Sequence, residues 1–174
     1  MSGSGKTLEE CAEIQDNVLP FIPGEEEKTS LEPLKIWGKM EGEGLKPAEN
    51  ISISAQCLRV PVSDGHLAAI SFSTRDRLSK ADILGLWEKA RMPVKYRFLP
   101  SAPQRSLVYS DDDFFPQSKM TREDEYSMSV LLGRLREDEL LDYKFIGASH
   151  NALRGAAKGA LLAAEMLYVD GYMF

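Results

Sequence analysis

The chain is poor in the residues that build metal centres and disulfide scaffolds: among 174 residues it has two cysteines, Cys11 and Cys57, and two histidines, His66 and His150. Two thiols allow at most one disulfide, and no Cys/His spacing suits a zinc site, so both classes are excluded. No apolar run is long enough to cross a bilayer. The start, Met1 to Lys6, has no hydrophobic stretch after a charged region, so no signal peptide is expected. No Gly-x-Gly-x-x-Gly follows an early strand-like run, and Gly3-Ser4-Gly5-Lys6-Thr7 lacks the strand and the first glycine of a phosphate loop. A formal charge of −6 and a pI near 5.1 argue against nucleic acid as a partner. What remains is a reduced, cytoplasmic protein without membrane segments, 43% hydrophobic and able to bury one core over residues 1–174. In that compartment the Asn50-Ile51-Ser52 sequon is fortuitous.

Apolar periodicity sets out the elements. Leu8, Cys11, Ile14 and Val18 predict a short helix over 7–18. Two prolines make residues 19–24 an extended link. Leu31, Leu34, Trp37 and Met40 predict a second helix within 25–40, ended by Gly42 and Gly44. Pro33 is tolerated only in a first turn, so that helix either starts near Ser30 or is kinked. The β-formers of 51–60 and 66–74 predict paired or neighbouring strands. Ser79 is placed to cap a helix running to Arg91 that buries Ile83, Leu84, Leu86, Trp87 and Ala90. A brief strand is expected at 107–109 and an exposed loop over 111–125, followed by strands at 127–135 and 140–148. An alanine- and leucine-rich helix over 151–169 stops at Gly171. Strands and helices mixed without strict alternation, and without an internal repeat, give an α+β fold with helices on one face of a sheet.

The chemistry concentrates between Ile51 and His66, where an arginine and a histidine stand seven residues apart. Alternation along a flat strand would point Arg59 and His66 to opposite faces. Pro61 and the Ser63-Asp64-Gly65 cluster break the strand, so the chain can bend and bring both to one site. A guanidinium grips a carboxylate with two parallel hydrogen bonds, and an imidazole transfers protons near neutral pH. The pair therefore suggests a site that anchors an acid and performs acid–base chemistry beside it. Cys57 shares the face of Arg59 on a regular strand. His150, beside Asn151, reads as a capping or packing residue.

Three segments occur in order: Asp16-Asn-Val-Leu-Pro-Phe-Ile-Pro-Gly-Glu-Glu-Glu-Lys28, Arg59-Val-Pro-Val-Ser-Asp-Gly-His66 and Ser149-His-Asn-Ala-Leu-Arg-Gly-Ala-Ala157. Together they resemble the second domain of aspartate-semialdehyde dehydrogenases of the fungal and archaeal type, over nearly the whole chain. The resemblance implies a glyceraldehyde-3-phosphate dehydrogenase-like C-terminal domain for catalysis, substrate binding and dimerisation, built on a mixed sheet and following an NADP-binding Rossmann domain. It implies the reversible reductive dephosphorylation of aspartyl phosphate to aspartate semialdehyde, in lysine, threonine and methionine synthesis. A cysteine thiolate attacks, hydride moves, and phosphate exchanges on a thioester. Carried over by residue, Arg59 binds the substrate carboxylate and His66 is the general acid–base. Glu25 meets the substrate ammonium and Lys28 holds phosphate; three apart, they are neighbours on a helix. Asn151 contacts the nicotinamide side of NADP. A homodimer or tetramer is implied as well.

In that family the nucleophilic cysteine, and the glutamine that positions the substrate, lie upstream of the segment matching Ser2-Gly3. The chain is therefore expected to hold half an active site, to bind no NADP and to be inactive alone. The resemblance puts Cys57 at a non-catalytic strand position and Cys11 in a helix. Malonyl-coenzyme-A reductase and N-acetylglutamyl-phosphate reductase share the cysteine–histidine logic, but Glu25 favours a substrate with a free amine. A catalytically inactive homodimerisation module is the alternative from another class.

Overall fold

The computed structural model describes residues 9–173. The chain forms two compact units that meet in sequence between Pro61 and Val62, inside the Arg59–His66 motif.

In the N-terminal unit, Leu8 lies outside the described residues, and the helix expected over 7–18 is reduced to one 3-10 turn, Ala12–Ile14. Asp16 takes a left-handed φ of 53°. Asn17 then turns its side chain on local backbone: Nδ2 donates to the Glu13 carbonyl at 2.9 Å, and Oδ1 accepts from Val18 N–H at 2.8 Å. Those local bonds compete with helix propagation. Helix α1 spans Glu25–Ile36, five residues ahead of the start that Pro33 suggested. Three glutamates in its first turn complement the helix dipole. Pro33 sits inside and forgoes a single backbone bond. Strands β1 (Lys39–Glu41) and β2 (Gly44–Lys46) follow as a hairpin around Gly42-Glu43. Gly42, at φ 62°, supplies the positive dihedral that a two-residue hairpin turn needs first. Met40 and the two glycines thus belong to a hairpin and not to a helix end.

Residues 51–60 keep the strand alternation without a ladder. Ile51, Ile53, Ala55, Cys57 and Arg59 are half-buried, while the residues between them are exposed. An isolated bridge joins Leu19 and Arg59, with N–H···O distances of 2.9 and 3.0 Å. The expected pairing of this segment with 66–74 does not form. Leu19 takes the backbone groups of Arg59, and a different strand takes those of 66–72.

The C-terminal unit is built on a four-stranded mixed sheet in the order β3-β6-β5-β4, from β3 (His66–Phe72), β4 (Leu107–Ser110), β5 (Val130–Glu137) and β6 (Tyr143–Ser149). β4 runs parallel to β5, and the other two pairings are antiparallel. The last two strands begin three residues later than expected. Ser127 and Ser129 spend their hydroxyls on the carbonyls of Asp124 and Arg105, and Asp138 closes the β5–β6 turn by accepting from the amides of Leu140 and Leu141. Helix α2 (Lys80–Lys89) starts as expected at Ser79, whose hydroxyl accepts from Asp82 N–H while the Asp82 carboxylate accepts from Ser79 N–H. Trp87 packs its ring on Tyr109 and Phe145, centroids 5.7 and 5.2 Å away, and so seats α2 on one sheet face.

The opposite face is covered by the segment expected to be an exposed loop. Phe115 closes over Leu131 and Ala148, with Val108, Met120 and Tyr126 around them. A 3-10 turn, Ser118–Arg122, buries Thr121 completely. The C-terminal helical segment enters through a π turn, Leu153–Ala157, and continues as α3 (Lys158–Val169). Asp170, after its last turn, accepts from Tyr96 Oη at 2.7 Å and pairs with Lys95 at 2.8 Å. Lys95 is pushed up to about 12 chiefly by that bond.

Candidate functional site

His66 opens β3, opposite Ser149 of β6, which in turn faces Val130 of β5. The turn that delivers it is tightly held. Gly65 is buried with φ 90°, and a Cβ there would lie 2.7 Å from both the Ser118 carbonyl oxygen and Thr121 Oγ1. Thr121 Oγ1 itself donates to that carbonyl at 2.7 Å. Arg122 Nη2 donates to the Asp64 carbonyl at 3.4 Å, and Gly65 N–H donates to Asn151 Oδ1 at 2.8 Å. The imidazole of His66 is exposed. An accessible imidazole on a rigid strand end is equipped to exchange a proton with a bound reactant.

The second histidine does something else. His150 is 7% exposed, and its Nδ1 accepts from the N–H groups of Ala152 and Leu153 at 3.2 and 3.3 Å. Accepting twice identifies Nδ1 as the unprotonated ring nitrogen. His150 thus caps the turn that follows β6. Four residues on, Arg154 donates to the Met128 carbonyl, and burial pushes its pKa down.

The remaining sequence-derived site residues lie in the N-terminal unit. Glu25 and Lys28 are brought together on the first turn of α1, Nζ to Oε1 3.1 Å. That hydrogen bond, with the charge of the carboxylate, raises the Lys28 pKa above its ordinary value. Arg59 is half-buried on the extended segment. The residue that ties this segment to α1 was missed in sequence: the Glu26 carboxylate accepts from Cys57 N–H at 3.0 Å. Cys57 Sγ lies 3.7 Å from Thr29 Oγ1. Both cysteines are free thiols. Arg59 and His66 themselves fall in different units.

Chemically, the N-terminal unit presents a guanidinium, an ammonium and carboxylates, groups that recognise a zwitterionic or phosphorylated acid. The C-terminal unit presents an imidazole on a clamped backbone. Among the described residues no group of His, Cys, Asp and Glu could hold a metal ion, and no helix is long and apolar enough to cross a membrane.

The sequence profile of the family described as "Semialdehyde dehydrogenase, dimerisation domain" matches residues 2–154. The aspartate-semialdehyde dehydrogenase of Methanothermobacter thermautotrophicus is 37% identical over 169 residues, covering 96% of this chain and 48% of the relative. That of Archaeoglobus fulgidus is 36% identical over 167 residues, covering 96% and 47%. The crystal structure of aspartate semialdehyde dehydrogenase with NADP from Candida albicans matches with a TM-score of 0.84 at 34% identity, covering 94% of this chain and 47% of that one. The chain spans about half the length of the curated relatives it matches.

Proposed function

The chain belongs to the semialdehyde dehydrogenase dimerisation-domain family, and on that footing we propose that it is the substrate-binding and dimerising half of an NADP-dependent aspartate-semialdehyde dehydrogenase. One observation carries the reading: the likeness runs through 96% of this chain but only 48% of the relative, and Arg59, His66, Glu25 and Lys28 all stand within the stretch that the family profile matches. The reaction is the reductive dephosphorylation of aspartyl phosphate to aspartate semialdehyde, in a reducing, cytoplasmic setting that suits two free thiols.

Arg59 holds the substrate carboxylate through paired charge-assisted hydrogen bonds. Glu25 takes the substrate ammonium and Lys28 the phosphate, and the substrate divides their mutual ion pair. His66 removes the proton from the attacking thiol and returns one to the collapsing intermediate. NADP, bound by the other half, supplies or accepts the hydride. The nucleophilic thiol also belongs to that half: Cys57 is a structural residue of the extended segment, with its N–H held by Glu26. The homodimer forms through this chain.

The experiment joins these 174 residues to the NADP-binding half of the Candida albicans enzyme and follows NADPH formation from aspartate semialdehyde and phosphate. The chain alone should show neither turnover nor NADP affinity. The joined enzyme should be active, with Arg59→Ala raising KM about 10- to 100-fold and His66→Ala lowering kcat about 10²- to 10⁴-fold. Turnover by the chain alone would overturn the division of labour, and a KM insensitive to Arg59 would overturn the carboxylate assignment. Sedimentation as a monomer at micromolar concentration would refute the dimerising role.

A further inference from the structure

The geometry points to Asn151 as a positioning residue for His66: its carboxamide oxygen holds the buried N–H of Gly65, the residue immediately ahead of His66. This rests on the proposed role of His66. The register pairs His66 with Ser149, and Val130 on the other side of Ser149 donates to the Ser106 carbonyl, so the last ladder bonds join His66 and Ser149 and the Gly65 N–H lies outside the ladder. β6 ends at Ser149 and the chain turns toward the π segment. The His150 carbonyl is taken by Gly155 N–H at 3.1 Å, and the His150 ring by the amides of Ala152 and Leu153. Gly65 N–H is left without a backbone acceptor at a buried position, where an unsatisfied donor is costly. Asn151 Oδ1 fills the place at 2.8 Å. Because an amide nitrogen can only donate here, the carboxamide must present its oxygen, and its Nδ2 faces elsewhere.

The consequence for His66 is mechanical. Its ring is exposed and accepts no hydrogen bond from the described residues, so the orientation of the side chain depends on its backbone. That backbone is held by the Asn151 bond, by the Ser118–Thr121 turn packed against Gly65 Cα, and by Arg122 on the Asp64 carbonyl. The Asn151 bond holds the N–H of the Asp64–Gly65 peptide at 2.8 Å, and Arg122 reaches the carbonyl of the same peptide at 3.4 Å. A displacement of about 1 Å of a catalytic group lowers rate by about 10²-fold. The same asparagine could be read as a nicotinamide contact, and the two roles predict different kinetics.

Two measurements test the assignment, and the first needs no activity. In the 174-residue chain, the Gly65 amide and the imidazole resonances of its two histidines are followed by NMR in the wild type, Asn151→Ala and Asn151→Asp. Asn151→Ala should speed Gly65 amide exchange at least about 10-fold and shift or broaden the His66 imidazole signals. Asn151→Asp, which keeps an acceptor oxygen, should restore both. Unchanged Gly65 exchange in Asn151→Ala overturns the proposal even if the dehydrogenase reading stands. In the joined enzyme, Asn151→Ala should lower kcat about 10- to 100-fold with KM for NADP nearly unchanged, and Asn151→Asp should recover most of it. In a His66→Ala background, Asn151→Ala should have no further effect. A raised KM for NADP, or an undiminished effect without His66, would assign Asn151 to the cofactor and overturn the positioning role. Protected exchange together with an inactive joined enzyme would instead refute the dehydrogenase reading and leave the Asn151–Gly65 link intact.

Discussion

Replacing Gly65 by alanine tests the cradle beneath His66 most directly. At φ 90° a Cβ meets the steric penalty of the left-handed side of backbone space, about 1–2 kcal/mol. It would also lie 2.7 Å from the Ser118 carbonyl oxygen and 2.7 Å from Thr121 Oγ1. Neither neighbour gives way easily, since one is backbone and the other is fully buried and bonded to it at 2.7 Å. Overpacking of this kind adds about 1–3 kcal/mol, for a total loss of about 2–5 kcal/mol, a large part of the stability of an ordinary domain. Urea unfolding followed by fluorescence, with Trp37→Phe as background so that Trp87 on the sheet reports alone, should show the midpoint falling by about 1–2 M. Gly171→Ala is the control: its φ is 78°, but no heavy atom lies within 4 Å of the new Cβ. It should lose only the conformational part, about 1 kcal/mol. If Gly65→Ala proves no worse than Gly171→Ala, the Ser118–Thr121 turn does not press on Gly65, and the account of how His66 is held fails with it.

Three other outcomes follow from the same structure. Ser79→Ala removes the hydroxyl that caps α2 and should destabilise the C-terminal unit by about 1 kcal/mol in urea unfolding, while Ser79→Asp should recover most of it. Leu131→Ala, at a fully buried site between Phe115 and Ala148, should cost about 2–5 kcal/mol, whereas Leu140→Ala, 93% exposed, should change stability by less than about 0.5 kcal/mol. Asp138 is held down at about 2, first by the amides of Leu140 and Leu141, with Lys144 and Ser71 adding to the effect. Because its folded pKa is depressed, its contribution is full above the unfolded carboxyl pKa of about 4 and is lost as pH falls toward 2. Asp138→Asn should flatten the pH dependence of the urea midpoint in that window, and an unchanged acid limb would refute the assignment.

Much of the architecture was legible because it rests on local chemistry. The Ser79 cap needs only its own hydroxyl and Asp82 three residues on, and it forms where expected. His150 beside Asn151 suggested a cap, and its ring caps the following turn. Glu25 and Lys28, three apart on a helix, meet as an ion pair. Misreadings arose where a distant partner overrode local preference. Residues 51–60 have strand composition, yet their backbone groups go to Leu19 and Glu26 and not to a ladder. The charged stretch 111–125 looked solvated, but Phe115 and Thr121 within it find the sheet and Gly65. Glu26 reaches Cys57 N–H across 31 residues, and nothing local marks it out for that contact.

The family and the α+β class could be read from the amino-acid order alone, and the reactive groups proposed from it, since motifs, periodicity and caps are properties of residues close together in the chain. Which groups support them emerges in three dimensions. Gly65 and Asn151 are 86 residues apart, and no periodicity links a turn glycine to a carboxamide beyond the end of another strand. Their contact exists because β3 and β6 align in one register and the turn after β6 brings Asn151 to the Gly65 N–H, a buried donor outside the ladder that a side chain must satisfy.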